Sequence, residues 1–220
     1  MSSARLEAVL WDMDGVIADT ADFHYGAWRD IFKEYGFSFS KEDFMKFFGR
    51  RHDTIIRFAL GDKISPEKIK EISDKKNIIY RRNVAKDLIP LPGAVALIKS
   101  LKATNIKSAI ASSATPANID VIIKGLGIEN DFQAIAHGTE VAEGKPSPEI
   151  FQLAAKKLGV PPANCLVIED AIAGVTAAKR AGMKCLAVTN SHSSENLKNA
   201  DLVVDSLEKV DIATLKKLFD

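Results

Sequence analysis

Cysteine is scarce in this chain, and so is any imbalance of charge. The two cysteines, Cys165 and Cys185, each lie inside an apolar, strand-like run. That placement argues against a disulfide framework or a thiolate metal site and points to buried free thiols. Basic and acidic residues number 30 and 29, and no long basic block stands out, so nucleic acid is not an expected partner. No apolar run reaches the length needed to cross a bilayer. The run after Met1-Ser2-Ser3-Ala4-Arg5 is interrupted by Glu7 and is too short for a signal-peptide core, so a cytoplasmic protein without a membrane partner is expected. Internal repeats and low-complexity segments are also missing. What remains is a chain of 220 residues, 46% hydrophobic and 27% charged, long enough for one large globular domain or one domain carrying an insert.

The stretch Glu7–Thr20, EAVLWDMDGVIADT, organises the rest. Ala8-Val9-Leu10-Trp11 is short and continuously apolar, as a buried strand is, and it stops at two carboxylates one residue apart, Asp12 and Asp14, followed by Gly15. Asp and Gly are ordinary turn formers. Yet acids set against a dense core are costly unless a cation or hydrogen bonds hold them, so the pair equally suggests a metal or phosphate site. A calcium loop also begins Asp-x-Asp, but it needs oxygen ligands, a glycine and a distal glutamate. Val16, Ile17 and Phe23 occupy those places, which excludes it.

From about Ala21 to Lys86 the periodicity is helical. Helices are expected over Phe23–Tyr35, Lys41–Phe48 with Ser40 as N-cap, Asp53–Leu60, and Pro66–Val84 after Ser65. Beyond Pro92 strands and helices alternate. Strands are expected at Lys107–Ala111, Ala134–Ala136, Cys165–Ile168, Cys185–Val188 and, weakly, Asp201–Val204. The intervening helices are Ala94–Lys102, Pro116–Lys124, Pro148–Leu158 and Ala173–Ala181. This is an α/β protein with a Rossmann-like, doubly wound parallel sheet. Residues 19–88 form an inserted α-helical cap domain, and residues 1–18 and 89–220 form the core, with hinges near Ala18–Asp22 and Lys86–Gly93.

Ligands of such sheets bind beyond the carboxyl ends of the strands, and three further polar clusters fall there. Ser112 and Ser113 end one strand; they could donate to a phosphate or simply cap the next helix. Lys145 stands in Gly144-Lys145-Pro146-Ser147-Pro148, ahead of a helix that Ser147 would cap with Pro148 at its first position. An exposed lysine there would ordinarily be no more than solvated. Glu169 and Asp170 close another buried strand, and a hard divalent cation would relieve the repulsion between such acids.

The strings Asp12-Met13-Asp14-Gly15-Val16, Ser112, Gly144-Lys145-Pro146 and Glu169-Asp170, in this order over nearly the whole chain, resemble the four motifs of the haloacid dehalogenase superfamily. The segments Asp19-Thr20-Ala21-Asp22-Phe23-His24 and Ala27-Trp28 are similar to its β-phosphoglucomutase and sugar-phosphatase branch. The resemblance implies phosphoryl transfer with Asp12 as nucleophile and Asp14 as general acid and base. Ser112 would bind phosphate, and Lys145 would offset the charge of phosphate and nucleophile. Mg2+ would be held by Asp12, the carbonyl of Asp14 and Asp170, with Glu169 bound directly or through water. In the helical insert, the resemblance implies that His24 supports the acid/base aspartate and that Lys76 contacts substrate; His24 would also suit the apolar face of its own helix, beside Phe23 and Trp28.

The loop Phe48-Gly49-Arg50-Arg51-His52 departs from the lysine, glycine, small residue, serine and arginine of the mutases. Gly49, Arg50, Arg51 and Ser113 are candidates for substrate contact, although Arg50 and Arg51 could equally pair with Asp53. The expected activity is therefore a Mg2+-dependent phosphatase acting, as a monomer, on a small sugar phosphate. A β-phosphoglucomutase-type mutase is the alternative. A non-enzymatic phosphoaspartate receiver is the rival outside enzymes, although its sheet needs only about half this length and no helical insert.

Overall fold

A four-residue apolar strand can be buried on both sides only if other elements cover both of its faces. Ala8–Trp11 (β1) is such a strand, with every residue inaccessible to solvent. The computed structural model describes residues 4–47 and 50–220, in two compact units: Met1–Asp19 with Ile89–Asp220, and Thr20–Leu88.

The first unit is a six-stranded sheet. To β1 it adds Lys107–Ser112 (β2), Ala134–His137 (β3), Cys165–Glu169 (β4), Lys184–Val188 (β5) and Leu202–Val204 (β6). The strand order is β3-β2-β1-β4-β5-β6, and every pairing is parallel. The chain first winds outward from β1 through β2 to β3, then returns to the other side of β1 for β4. That reversal opens a crevice at the carboxyl ends of β1 and β4. Strands β2, β3 and β4 each run one residue beyond the apolar stretch, because backbone pairing continues through Ser112↔His137 and Glu169↔Ala187. Hydropathy cannot see pairing of that kind.

Ala8, Leu10, Ala109, Ala111, Cys165, Val167, Cys185 and Ala187 share one sheet face. Their small size lets Glu149–Leu158 (the seventh helix, α7) and Ile172–Arg180 (α8) lie close over them through Ile150, Phe151, Ala154, Val175 and Ala178. Helix Ala94–Lys102 (α5) packs on β2 and on Ile212–Lys216 (α9). Pro116–Gly125 (α6) links β2 to β3. Cys165 and Cys185 are both free and buried. Helix α7 starts at Glu149, with Pro148 as the N-cap residue. The sequence pattern places the start one residue earlier, with Ser147 as the cap, and the Ser147 hydroxyl does accept the Glu149 N–H, at 3.4 Å.

The second unit holds Ala21–Glu34 (α1), Lys41–Phe47 (α2), His52–Leu60 (α3) and Pro66–Asp87 (α4). Ser40 accepts the Asp43 N–H at 3.0 Å, and its hydroxyl donates to the Asp43 carboxylate at 2.9 Å. Ser65 caps α4 by accepting from the Lys68 N–H. The core of this unit is aromatic: Trp28 stacks on Phe32, and Phe39 meets Phe32 edge-on with centroids 5.1 Å apart. Ile31, Phe44, Ile55, Ile56 and Ile72 fill the spaces between. At the stem, on the first unit's side, Asp19 N–H donates to the Ile89 carbonyl and Leu91 N–H to that of Ile17. Among the described residues, no helix is long and apolar enough to cross a membrane.

Candidate active site

The site begins where β1 runs out. Asp12 still donates its N–H to the Ile168 carbonyl at 3.0 Å, so its backbone belongs to the ladder. Its side chain is held at the β1–β4 crevice. The chain then turns sharply: Ile17 and Ala18 N–H groups both donate to the Met13 carbonyl, and Gly15 N–H donates to that of Ala18. Gly15 takes a left-handed φ of 81°. A Cβ there would collide with the Asp170 carboxylate, so glycine is required twice over. Asp14, half-buried, sits in this turn with its backbone bridged to Ala18.

Lys145 arrives from the loop before α7. That loop is pinned from three directions. Ala142 and Glu143 N–H groups donate to Glu149, Ser147 N–H donates to the Gly144 carbonyl, and Arg180 donates to the Pro146 carbonyl. The lysine side chain is only 7% exposed. Its Nζ lies 2.5 Å from Asp12 Oδ1, 2.6 Å from Glu169 Oε1 and 4.8 Å from the centre of the Phe151 ring. Burial alone would lower its pKa, but the charges of Asp12 and Glu169 more than offset this and raise it, so the ammonium stays charged. Glu169 directs its other oxygen, Oε2, to the N–H groups of Asp170 and Ala171, both at 2.7 Å. Gly174 on α8 makes room for it, since a Cβ there would strike the carboxylate.

Asp170 is buried at the end of β4. Its Oδ2 accepts a hydrogen bond from the Ser191 hydroxyl, and its carbonyl oxygen lies 3.2 Å from His192 Nδ1. Asn190 donates to the Gly15 carbonyl at 2.8 Å. These three residues follow β5, and sequence reasoning missed them. Their only signal was a polar run directly after a buried strand, which any surface loop would also give.

Ser112 is buried at the end of β2, next to β1, and its hydroxyl accepts the Ala114 N–H at 3.1 Å. The N-cap of α6 is Thr115, so neither Ser112 nor Ser113 caps that helix. Ser113 is exposed, and its carbonyl packs so closely on Gly138 that a Cβ would not fit between them.

In the helical unit, His24 Nδ1 and Lys76 Nζ are 2.7 Å apart. Lys76 is completely buried, with its ammonium 4.8 Å from the Tyr80 ring centre and 5.4 Å from that of Trp28. His24 stacks on Tyr80. Burial, with Lys76 and His24 adding to it, holds His52 well below the ordinary imidazole pKa. Arg51 pairs with Asp53 at 3.4 Å, and Arg50 is exposed. Gly49 lies outside the described residues.

The pattern of the haloacid dehalogenase-like hydrolases matches residues 9–188. The chain belongs to this family. A β-phosphoglucomutase of Bacillus subtilis is 38% identical over 207 residues, covering 90% of this chain and 89% of its own. A phosphatase of phosphorylated carbohydrates from Thermotoga maritima is 31% identical, covering 81% and 83%. Among solved structures, CbbY from Rhodobacter sphaeroides in complex with xylulose-1,5-bisphosphate superposes with a TM-score of 0.88 at 28% identity, covering 96% and 99%. The chain is thus an enzyme of the phosphatase or phosphotransferase type, and the receiver reading falls away.

Hydrolases of this family generally use Mg2+. Among the described residues, no three His, Cys, Asp or Glu side chains converge as a ready-made metal cluster. The donor chemistry nonetheless fits a hard cation. Burial pushes the Asp12 carboxyl up to about 7 against the pull of Lys145, and the charges of Glu169 and Asp14 add to the rise. Burial likewise raises Asp170 well above the carboxylate range, with Glu169 and Asp12 adding to it. Lys145 is too little positive charge for these acids, and a divalent ion would supply what is missing.

Proposed function

We propose that this hydrolase is a Mg2+-dependent phosphatase of small sugar phosphates that works through an aspartyl-phosphate on Asp12. The observation that carries the reading is the buried Lys145 ammonium in contact with both Asp12 and Glu169 at the β1–β4 crevice. A lysine held there balances an anionic nucleophile and an anionic phosphate together.

In the first step an Asp12 oxygen bonds to phosphorus as the bond to the leaving sugar oxygen breaks, and Asp14 donates a proton to that oxygen. In the second, Asp14 takes a proton from water, whose oxygen attacks phosphorus and frees Asp12 with release of inorganic phosphate. Ser112 and the N–H groups at Met13–Gly15 donate to the transferring oxygens. Asp12, the Asp14 carbonyl and Asp170 would hold Mg2+, which when bound supplies charge stabilisation for those oxygens. Glu169, engaged by Lys145 and two amides, acts as a brace for the lysine. Ser113 contributes a substrate contact, and His24, Lys76, Gly49, Arg50 and Arg51 are assigned the same role in the helical unit.

The bisphosphate and phosphorylated-carbohydrate relatives support a sugar phosphate as substrate. A β-phosphoglucomutase activity is the second reading, favoured by the similarity to the Bacillus subtilis mutase and by the buried Lys76–His24 pair. The residues at 48–52 weigh against it, because they lack the mutase pattern and Arg51 pairs with Asp53.

A panel of sugar phosphates with Mg2+, assayed for inorganic phosphate, tests the proposal. It is run beside an assay for glucose 6-phosphate formed from β-glucose 1-phosphate with a bisphosphate primer. Phosphate release dominating on at least one sugar phosphate is the expected result. Isomerisation without net phosphate release would replace the first reading by the second.

A further inference from the structure

The chemistry above leaves Asn190, Ser191 and His192 without a part, although all three reach back from the loop after β5 into the site. Asn190 Nδ2 donates to the Gly15 carbonyl, Ser191 Oγ to Asp170 Oδ2, and His192 Nδ1 faces the Asp170 carbonyl at 3.2 Å. A β-strand crossover needs none of these contacts, since a polar loop would normally satisfy itself or turn to water. The packing is close as well: a Cβ on Gly15 would meet the Asp170 carboxylate and come within 3.0 Å of the Ser191 hydroxyl. One loop therefore fixes the turn that carries Asp14 and the acid that closes β4.

An Asp side chain without such partners samples several rotamers, and a cation that needs one of them must first select it. A hydroxyl donating to one oxygen selects the rotamer beforehand and leaves the other oxygen to act as ligand.

We propose that Asn190, Ser191 and His192 form a positioning clamp that orients Asp170 and the Asp14–Gly15 turn for the divalent cation, with Ser191 as its principal member. The inference rests on the reading of Asp12, Asp14 and Asp170 as metal-holding residues. None of the three clamp residues touches the reacting phosphorus; they act through Asp170 and Gly15.

The test is calorimetric titration of the whole protein with Mg2+ alone, so no substrate or turnover is involved. Ser191→Ala should bind Mg2+ roughly 10–100-fold more weakly than the wild type. Ser191→Thr, which keeps the hydroxyl, should recover most of the affinity, and Asn190→Ala should lose less than Ser191→Ala. Thermal unfolding of Ser191→Ala in EDTA should match that of the wild type, which separates orientation of the acid from folding. If Ser191→Ala does not fold, the comparison of Ser191→Thr and Asn190→Ala with the wild type carries the same test. Wild-type affinity in Ser191→Ala, with binding lost in Asp170→Asn, would overturn the clamp and leave the metal reading standing. Equal affinity in the wild type and Asp170→Asn, or no Mg2+ binding by the wild type, would overturn both.

Discussion

The two units of this protein hold buried positive charge in opposite ways. In the sheet unit, Lys145 is surrounded by carboxylates at the ends of strands, and the core behind it is built largely from alanine, valine and other aliphatic side chains. In the helical unit, Lys76 is buried against Trp28, Tyr80 and His24, and the core mixes aromatic rings with isoleucines. An ammonium among carboxylates is fixed by strong, short, directional contacts. One against rings draws on a weaker attraction, joined in Lys76 by the 2.7 Å contact with His24. Chemistry demanding fixed distances accordingly belongs on the sheet edge.

The largest effect expected from breaking this contrast is at Asp12, the proposed nucleophile. Asp12→Asn should reduce phosphate release by a factor on the order of 10⁶, to background, as read by phosphate release under saturating Mg2+. Lys145→Met should follow, with a loss on the order of 10²–10³ in kcat, because it removes charge from the site while keeping the shape. Substitution in the helical unit should separate function from stability. Lys76→Met should weaken kcat/KM while unfolding loses only about 1–3 kcal/mol, the cost of stranding the His24 ring nitrogen 2.7 Å from the ammonium. A large loss of stability in Lys76→Met would show that the two lysines are held alike.

Packing changes come next. Phe151→Ala, which opens the sheet core beneath Lys145, should cost about 3–5 kcal/mol in denaturant unfolding. Gly174→Ala should cost about 1–3 kcal/mol, because its Cβ displaces Glu169, and should lower activity with it. The smallest effect is at the thiols. Burial lifts Cys165 from 9.0 up to about 12 and raises Cys185 too. The native protein therefore keeps these protons between the unfolded and folded values, and stability is lost as pH rises through that window. At pH 8 neither thiol should react with iodoacetamide until the protein is unfolded, as read by mass spectrometry.

Much of the sheet was legible because parallel strands buried on both faces appear as unbroken apolar runs, and β1 is found at Ala8–Trp11, as its composition indicated. The alternation of these runs with helical periodicity gave the doubly wound class. Helix ends slipped where a residue's own chemistry misleads. Pro148 is an N-cap residue and not the first helical one, and α4 continues past Val84 because Ala85, Lys86 and Asp87 carry no stop signal before Pro90. In the site, Asp12, Lys145 and Glu169 lie together and Ser112 ends the strand beside β1. The acids stood out because charge abutting an apolar run is unusual, whereas Lys145 was marked only by the resemblance of Gly144-Lys145-Pro146 to a family motif. The loop 190–192 did not stand out, because a serine that orients a carboxylate is indistinguishable in sequence from one that meets solvent. The closeness of Gly138 to the Ser113 carbonyl was equally hidden, since that contact joins segments distant along the chain, and that of Gly174 to Glu169 depends on how the turn between β4 and α8 folds back.

The most direct measurement is the covalent one. Protein incubated with a turned-over sugar phosphate and Mg2+, or with a small acyl phosphate, is quenched in acid, digested and weighed. One added phosphoryl group on the peptide containing Asp12, absent in Asp12→Asn and lost when the quenched protein is returned to alkaline pH, is the predicted result. Sustained phosphate release by Asp12→Asn, or a phosphoryl group found on another residue, would contradict it.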